Sequence, residues 1–338
     1  MGDVALTVPV VQAALEQNPN IRITILTRKA FIPLFHGLEV AFVVPDLYGK
    51  HKGIFGLYRL FRELKSKRKW DAVLDLHDVL RSKILRTFFR LSGTPAFQID
   101  KGREEKRTLT SKKNKLPSKL KHASERYADV FRQAGFELNL SKVKSSKKNF
   151  TIPDQFLESL SPKISSWIGI APFAQHNLKV YPIKKMQQVV DLLAEKGHQI
   201  FIFGGGENEK KKAEDLSAGK SNVTNLIERF SLENELGLLS KMDLVLSMDS
   251  ANMHMAALTG TKVVSIWGAT HPNAGFTPFD QEDENQMIQI STNELACRPC
   301  SVFGNKPCHR GDFACMNRIT PEFIVDKIES LVKKFSKY

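Results

Sequence analysis

Apolar residues recur in short runs separated by longer stretches in which they fall three and four positions apart. This alternation predicts a parallel α/β architecture. In the first half, Arg22–Leu26, Val40–Val44, Ala72–Leu76 and Ala96–Ile99 read as strands, and Val8–Gln17, Ile54–Lys67, Leu80–Leu91 and Ser124–Ala134 as helices. Leu57, Leu60, Phe61 and Leu64 keep the spacing of one buried helical face. A second series follows, with strands Trp167–Ala171, Gln199–Phe203, Leu244–Met248 and Lys262–Trp267. Its helices are Ile183–Lys196, Glu207–Leu216, Leu232–Leu239 and Asn252–Thr259, and Thr320–Lys334 closes the chain with Pro321 in its first turn. The Lys/Ser-rich stretch Lys142–Asp154 separates the two series. The expectation is an α/β fold of two doubly wound Rossmann-like domains facing a cleft, at 1–154 and 155–319, with a final helix in 320–338. Ligands of such sheets bind beyond the carboxyl ends of the strands.

Composition changes this picture little. A chain of 338 residues with 42% hydrophobic content can bury two ordinary cores. No apolar stretch approaches the ~18 residues that span a bilayer. With no basic n-region at the N-terminus, the protein is expected in the cytosol. Charge changes it more. The net charge is +14, and fifteen Lys/Arg against five Asp/Glu between Lys101 and Lys148 supply +10 of it. Such a run suits nucleic acid, an anionic membrane, an acidic substrate, or a solvated loop. Few aromatics interleave with the cations, which disfavours stacking on single-stranded nucleic acid. Cys297, Cys300, Cys308 and Cys315 follow C-x2-C-x7-C-x6-C, a spacing open to tetrahedral zinc or to a loop of reduced thiols.

Candidate chemistry gathers at strand ends. Met242–Gly268 runs from an apolar strand into Asp249-Ser250, then a helix beginning near Asn252 with His254 in its first turn. That turn would present unpaired N–H groups and the positive end of the helix dipole to a diphosphate. Taken singly, Asp249 and Ser250 are also ordinary capping residues. Ala171-Pro172-Phe173-Ala174 leads by a loop to Lys179, just before Pro182 starts a helix, where a lysine can hold a phosphate as a point charge. Gly204-Gly205-Gly206 fits neither GxGxxG nor GxxxxGK[ST] and reads as a tight strand-to-helix turn. Asp3, in Met1-Gly2-Asp3-Val4, is placed as a helix-start acid or as an exposed general base.

Together, Gly2-Asp3-Val4 before a helix ending Glu16-Gln17-Asn18-Pro19, Leu74-Asp75-Leu76-His77 before Leu80-Arg81-Ser82, Ala171-Pro172 with Lys179 and Pro182, and Asp249-Ser250 with Met253-His254-Met255-Ala256-Ala257 resemble glycosyltransferase family 9, the ADP-heptose:lipopolysaccharide heptosyltransferases. The resemblance covers almost the whole chain in the right order. It implies a GT-B architecture with an acceptor domain first, a donor domain second and a last helix crossing back. It implies inverting single displacement with no cofactor and no bound metal, the donor being a nucleotide sugar such as ADP-heptose. By motif position, Asp3 would be the base, Lys179 would neutralise the leaving diphosphate and His254 would assist. Asp249, Ser250, Ala251 and Asn252 would hold the donor, Glu209 and Phe230 would face the nucleoside, and Arg81, Arg103 and Arg107 the acceptor.

The implied partners are an acidic lipid-linked saccharide and the anionic inner face of the inner membrane, with no nucleic acid and a monomeric chain. The family's usual first strand would precede Met1, so the first sheet is expected to lack it. The alternatives are transfer of another hexose or N-acetylhexosamine, a sugar-nucleotide or nucleic-acid-binding protein without activity, and a nucleotide-sugar epimerase.

Overall fold

The computed structural model describes residues 1–112, 115, 118–145, 150, 152, 153, 160, 163 and 165–335. Much of the expected boundary segment, including its end at 154, and lysine 113 lie outside them. The chain falls into two compact units. One comprises Met1–Leu6, Glu104–Leu120 and Lys144–Tyr338, the other Thr7–Arg103 and Lys121–Val143. The chain therefore enters the larger unit three times, where the sequence suggested one crossing.

The larger unit is built on a six-stranded parallel sheet. Its strands are β5 (Trp167–Ala171), β6 (Gln199–Ile202), β7 (Val223–Asn225), β8 (Leu244–Met248), β9 (Lys262–Trp267) and β10 (Met287–Gln289), in the order β10-β9-β8-β5-β6-β7. Every residue of β5, β6 and β8 is buried, as expected for parallel strands covered on both faces. The helices of this half are α6 (Ile183–Glu195), α7 (Glu207–Ser217), α8 (Leu232–Leu239), α9 (Ala251–Leu258), α10 (Ala314–Asn317) and α11 (Pro321–Phe335). Ile324, Val325, Ile328, Leu331 and Val332 of α11 join the sheet's core. The closing helix thus packs within this unit, against α6. Tyr181 Oη donates to Ile319 O at 2.8 Å to fix its start.

The smaller unit carries two separate two-stranded parallel sheets, β1 (Thr24–Leu26) with β2 (Ala41–Val43) and β3 (Val73–Asp75) with β4 (Ala96–Gln98). No ladder joins the two pairs among the described residues. Helices α2 (Gly53–Lys67) and α3 (Leu80–Leu91) pack through Leu57, Leu60, Phe61, Leu64, Leu85 and Phe89, the spacing read from the sequence. Helix α5 (Ala123–Gln133) completes the unit.

Helix α1 begins at Gly2 rather than Val8 and runs to Gln17 through Pro9. Its first residues pack in the larger unit.

Candidate active site

The site starts at the carboxyl end of β8. Buried Ser247 and Met248 give way to Asp249 and Ser250, and the chain turns into α9. Ser250 occupies the N-cap in extended conformation, yet its hydroxyl makes no capping bond and faces Ser247 Oγ at 3.3 Å. The capping expectation for Ser250 is therefore corrected. Competition from Ser247 leaves the helix start without a side-chain cap, the state an anion site requires.

Asp249 is buried and meets Lys179 instead, with Nζ 2.9 Å from Oδ2. Lys179 ends the short 3₁₀ turn Asn177–Lys179 after β5. Its stem is covered by Gly304, where an added Cβ would stand 2.7 Å from Lys179 Cγ. Gly304 also has φ +70°, so only glycine meets both demands without strain.

That glycine belongs to a loop anchored by Arg298. The fully buried guanidinium donates to Gly268 O at 2.6 Å, Thr270 O at 3.0 Å, Trp267 O at 3.1 Å, Gln289 Oε1 at 3.2 Å, and Ile290 O. Burial lowers its pKa to about 10. Ser301 then receives Gly304 N at 2.9 Å. A chain of contacts thus runs from the sheet core through Arg298 and Gly304 to the lysine. The sequence offered no signal for Arg298 or Gly304, since Arg298 acts mainly on distant backbone carbonyls and Gly304 on the stem of a lysine far away in sequence. Thr270 was missed too. Its Oγ1 is buried without a protein partner among the described residues.

The N-terminus closes on the same helix start. A Cβ on Gly2 would lie 3.1 Å from His254 Cδ2 and 3.5 Å from Ala251 Cα. Asp3, exposed in the first turn of α1, is one residue from that contact. Asp3 thus sits inside a helix, not in the turn before one.

Glu209 lies in the first turn of α7, and its Oε2 accepts from Gly205 N at 2.9 Å, bracing the triple-glycine turn. Phe230 is half-buried beyond β7. A polar recess of about 530 Å³ opens nearby, lined by Lys210, Asn225, Glu228 and Arg229 among others. On α8, burial pushes the Glu235 carboxyl up to about 7.

The proposed acceptor residues do not form one cluster within a unit. Arg81 and Arg103 belong to the smaller unit and Arg107 to the larger. Arg103 pairs with Asp78 at 3.2 Å, while the exposed Arg81 stands in the first turn of α3. Asp78 itself has φ 43°. Burial would raise its pKa, but the hydrogen bond from Arg86 and the charges of Lys83, Arg86 and Lys101 outweigh that and lower it. Arg86 also binds buried Asp75 at 2.7 Å.

The basic segment divides between the units, with Glu104–Leu120 in the larger and Lys121–Val143 in the smaller. It includes helix α4 (Arg103–Leu109). Lys106 Nζ lies 4.5 Å from the Phe276 ring centre, Leu109 and Leu120 pack with Ala274, and Lys115 Nζ donates to Ala296 O and Arg298 O, both at 3.0 Å.

The four cysteines are free thiols. Among the described residues no group of three or more His, Cys, Asp or Glu side chains is arranged to hold a metal ion. Burial pushes Cys315 up to about 12 against the opposing pull of Arg298.

The parallel α/β fold is that of GT-B glycosyltransferases. The chain belongs to glycosyltransferase family 9 (heptosyltransferase), whose model matches residues 57–306. It is 24% identical over 304 residues to lipopolysaccharide heptosyltransferase 1 of Escherichia coli, covering 88% of this chain and 90% of that protein. It is also 24% identical over 280 residues to the lipopolysaccharide core heptosyltransferase OpsX of Haemophilus influenzae, covering 80% and 77%. Among solved structures, a family 9 glycosyltransferase from Veillonella parvula matches with TM-score 0.74 at 19% identity, covering 98% of this chain and 94% of that one. The E. coli heptosyltransferase WaaC with ADP matches with TM-score 0.66 at 19% identity, covering 98% and 96%.

Proposed function

We propose that the protein is an inverting heptosyltransferase. In this reading it moves a heptose from ADP-heptose to the inner core of a lipopolysaccharide acceptor, working at the cytoplasmic face of the inner membrane as a peripheral protein. The observation that carries this reading is the convergence at one helix start: Lys179 on Asp249, an N-cap without a side-chain bond, and Gly2 pressed on His254 and Ala251.

Asp3 accepts the proton of the acceptor hydroxyl, whose oxygen attacks the anomeric carbon. The bond from that carbon to the diphosphate breaks, and ADP leaves with the electron pair. Lys179 and the backbone N–H groups of Ala251 and Asn252 stabilise the charge that develops there. Donors of this kind contribute roughly 10²–10³ each in rate, and a positioned base about 10²–10⁴. His254 donates to a phosphate oxygen or a sugar hydroxyl. Asp249 orients Lys179, Glu209 and Phe230 face the nucleoside, and Arg81, Arg103 and Arg107 meet the acidic acceptor. No cofactor enters this scheme.

The test is turnover with lipid-linked acceptor and a panel of ADP-heptose, UDP-sugars and GDP-sugars. Product with ADP-heptose is expected. Transfer from a hexose or N-acetylhexosamine donor alone would reassign the sugar, and no transfer from any donor would remove the reading.

A further inference from the structure

Helix α2 has two faces that the fold uses differently. Leu57, Leu60, Phe61 and Leu64 point into the smaller unit's core. Ile54 and Tyr58 border that face, with the Tyr58 ring 5.4 Å from that of Phe88, and Phe55, Arg59 and Arg62 stand on the far side of the helix. Phe55 is 89% exposed and Ile54 55%. Tyr48, 79% exposed, stands in the loop that leads into the helix. Leu80, 75% exposed, opens the neighbouring α3. Large apolar side chains gathered outward in one element mark an interaction surface.

This surface is built. Asp46 accepts from Gly49 N at 2.8 Å and Lys50 N at 3.0 Å, and Asp46 N donates to His51 Nδ1 at 3.0 Å. The buried His51 reaches Glu63 of α2 at 3.2 Å. Gly56 lets the loop lie against the helix, since a Cβ there would be 2.3 Å from the His51 carbonyl carbon. Tyr48 is therefore carried on a braced loop.

Charge identifies the occupant. From Tyr48 to Lys69 the chain holds eight Lys/Arg and one acidic residue, Glu63, a net +7. Leu80–Leu91 adds four Lys/Arg and no acid. A second copy would set cation against cation across a two-fold contact. Aromatic and aliphatic side chains ringed by Lys and Arg match the headgroup layer of an anionic bilayer, where rings bury at the interface and each cation adds about fivefold to binding.

We propose that the outward face of α2, Phe55 with Arg59 and Arg62 and the bordering Ile54 and Tyr58, together with Tyr48, is an interfacial anchor that seats this unit on anionic lipid. The anchor deepens the lipid-linked acceptor reading and is measured without turnover.

The experiment is cosedimentation of the full chain with phosphatidylcholine vesicles and with vesicles also containing phosphatidylglycerol. The wild type is expected to bind only the anionic vesicles, more weakly in high salt. The double variant Ile54→Ser/Phe55→Ser should lower partitioning at least about tenfold with its melting temperature retained, and Arg59→Gln/Arg62→Gln should lower it roughly 25-fold. Wild-type binding to neither vesicle would overturn the proposal, as would unchanged binding by the apolar variant. So would a wild-type dimer that Ile54→Ser/Phe55→Ser splits, which would make the face a self-association surface. Transfer to a delipidated saccharide acceptor should be unaffected by the apolar variant. If the wild type transfers to no acceptor, the heptosyltransferase reading fails while the vesicle result stands by itself.

Discussion

Lys179 and Asp249 form a largely buried ion pair, and such a pair is informative when one member is removed. Lys179→Ala should lower kcat/KM roughly 10²–10³-fold and also lower the melting temperature, because Asp249 keeps a buried charge without its partner. Adding Asp249→Asn should restore the melting temperature and leave turnover low. Near-normal turnover in the single variant would remove Lys179 from the mechanism. Glu235 supplies a second residue-scale test. Its carboxyl is raised by burial from 4.5 to about 7, so the folded state favours the protonated form. That contribution is complete below pH 4.5 and is lost as pH rises through 7, on the order of 1–3 kcal/mol. Glu235→Gln should flatten this part of the stability profile and be the more stable protein above pH 7. A parallel decline in both would show that another group is responsible.

At the scale of elements, what was legible followed from burial on both faces or on one stripe. β5, β6, β8 and β9 are largely apolar runs, and α3 spans Leu80–Leu91 as its periodicity predicts. β7 and β10 were not legible. They edge the sheet on opposite sides and lie in short mixed apolar and polar stretches, Val223–Asn225 and Met287–Gln289. The start of α1 at Gly2 was hidden because its first turn is specified by contact with His254 and Ala251, far away in sequence. The docking of the Glu104–Leu120 part of the basic segment was hidden likewise, since Lys106 and Leu109 are explained only by Phe276 and Ala274. Within the site, the residue types at Lys179, Asp249 and His254 were visible, while the loop that fixes the lysine was not. Gly304→Ala tests that loop. The new Cβ meets Lys179 Cγ and the positive φ is strained by about 1 kcal/mol. Turnover should fall roughly tenfold to a hundredfold, while circular dichroism stays native. Wild-type kinetics would mean that the loop does not position the lysine.

For the whole molecule, the division into two compact units separates the proposed nucleotide site from α2. The sheet of six strands, α9 and Lys179 all lie in the larger unit. ADP at about a hundred times its Kd should stabilise that unit by about 2.7 kcal/mol. In calorimetry, a transition that reports the larger unit should move up, while hydrogen exchange in α2 and α3 stays as it was. Equal protection of α2 and α3 by ADP would show that the units respond as one body.

If Lys179 holds the donor diphosphate as proposed, its pairing with Asp249 also bears on which anions the site ignores. Without a ligand, the lysine is already neutralised by a carboxylate that cannot diffuse away. A stray phosphate or sulfate ion must compete with that tethered anion and brings nothing further in exchange. A nucleoside diphosphate arrives with a base, a ribose and two phosphates, and so gains contacts that a bare ion lacks. Occupancy by inorganic anions should therefore stay low, and a nucleoside diphosphate is expected to displace Asp249 where a bare ion does not.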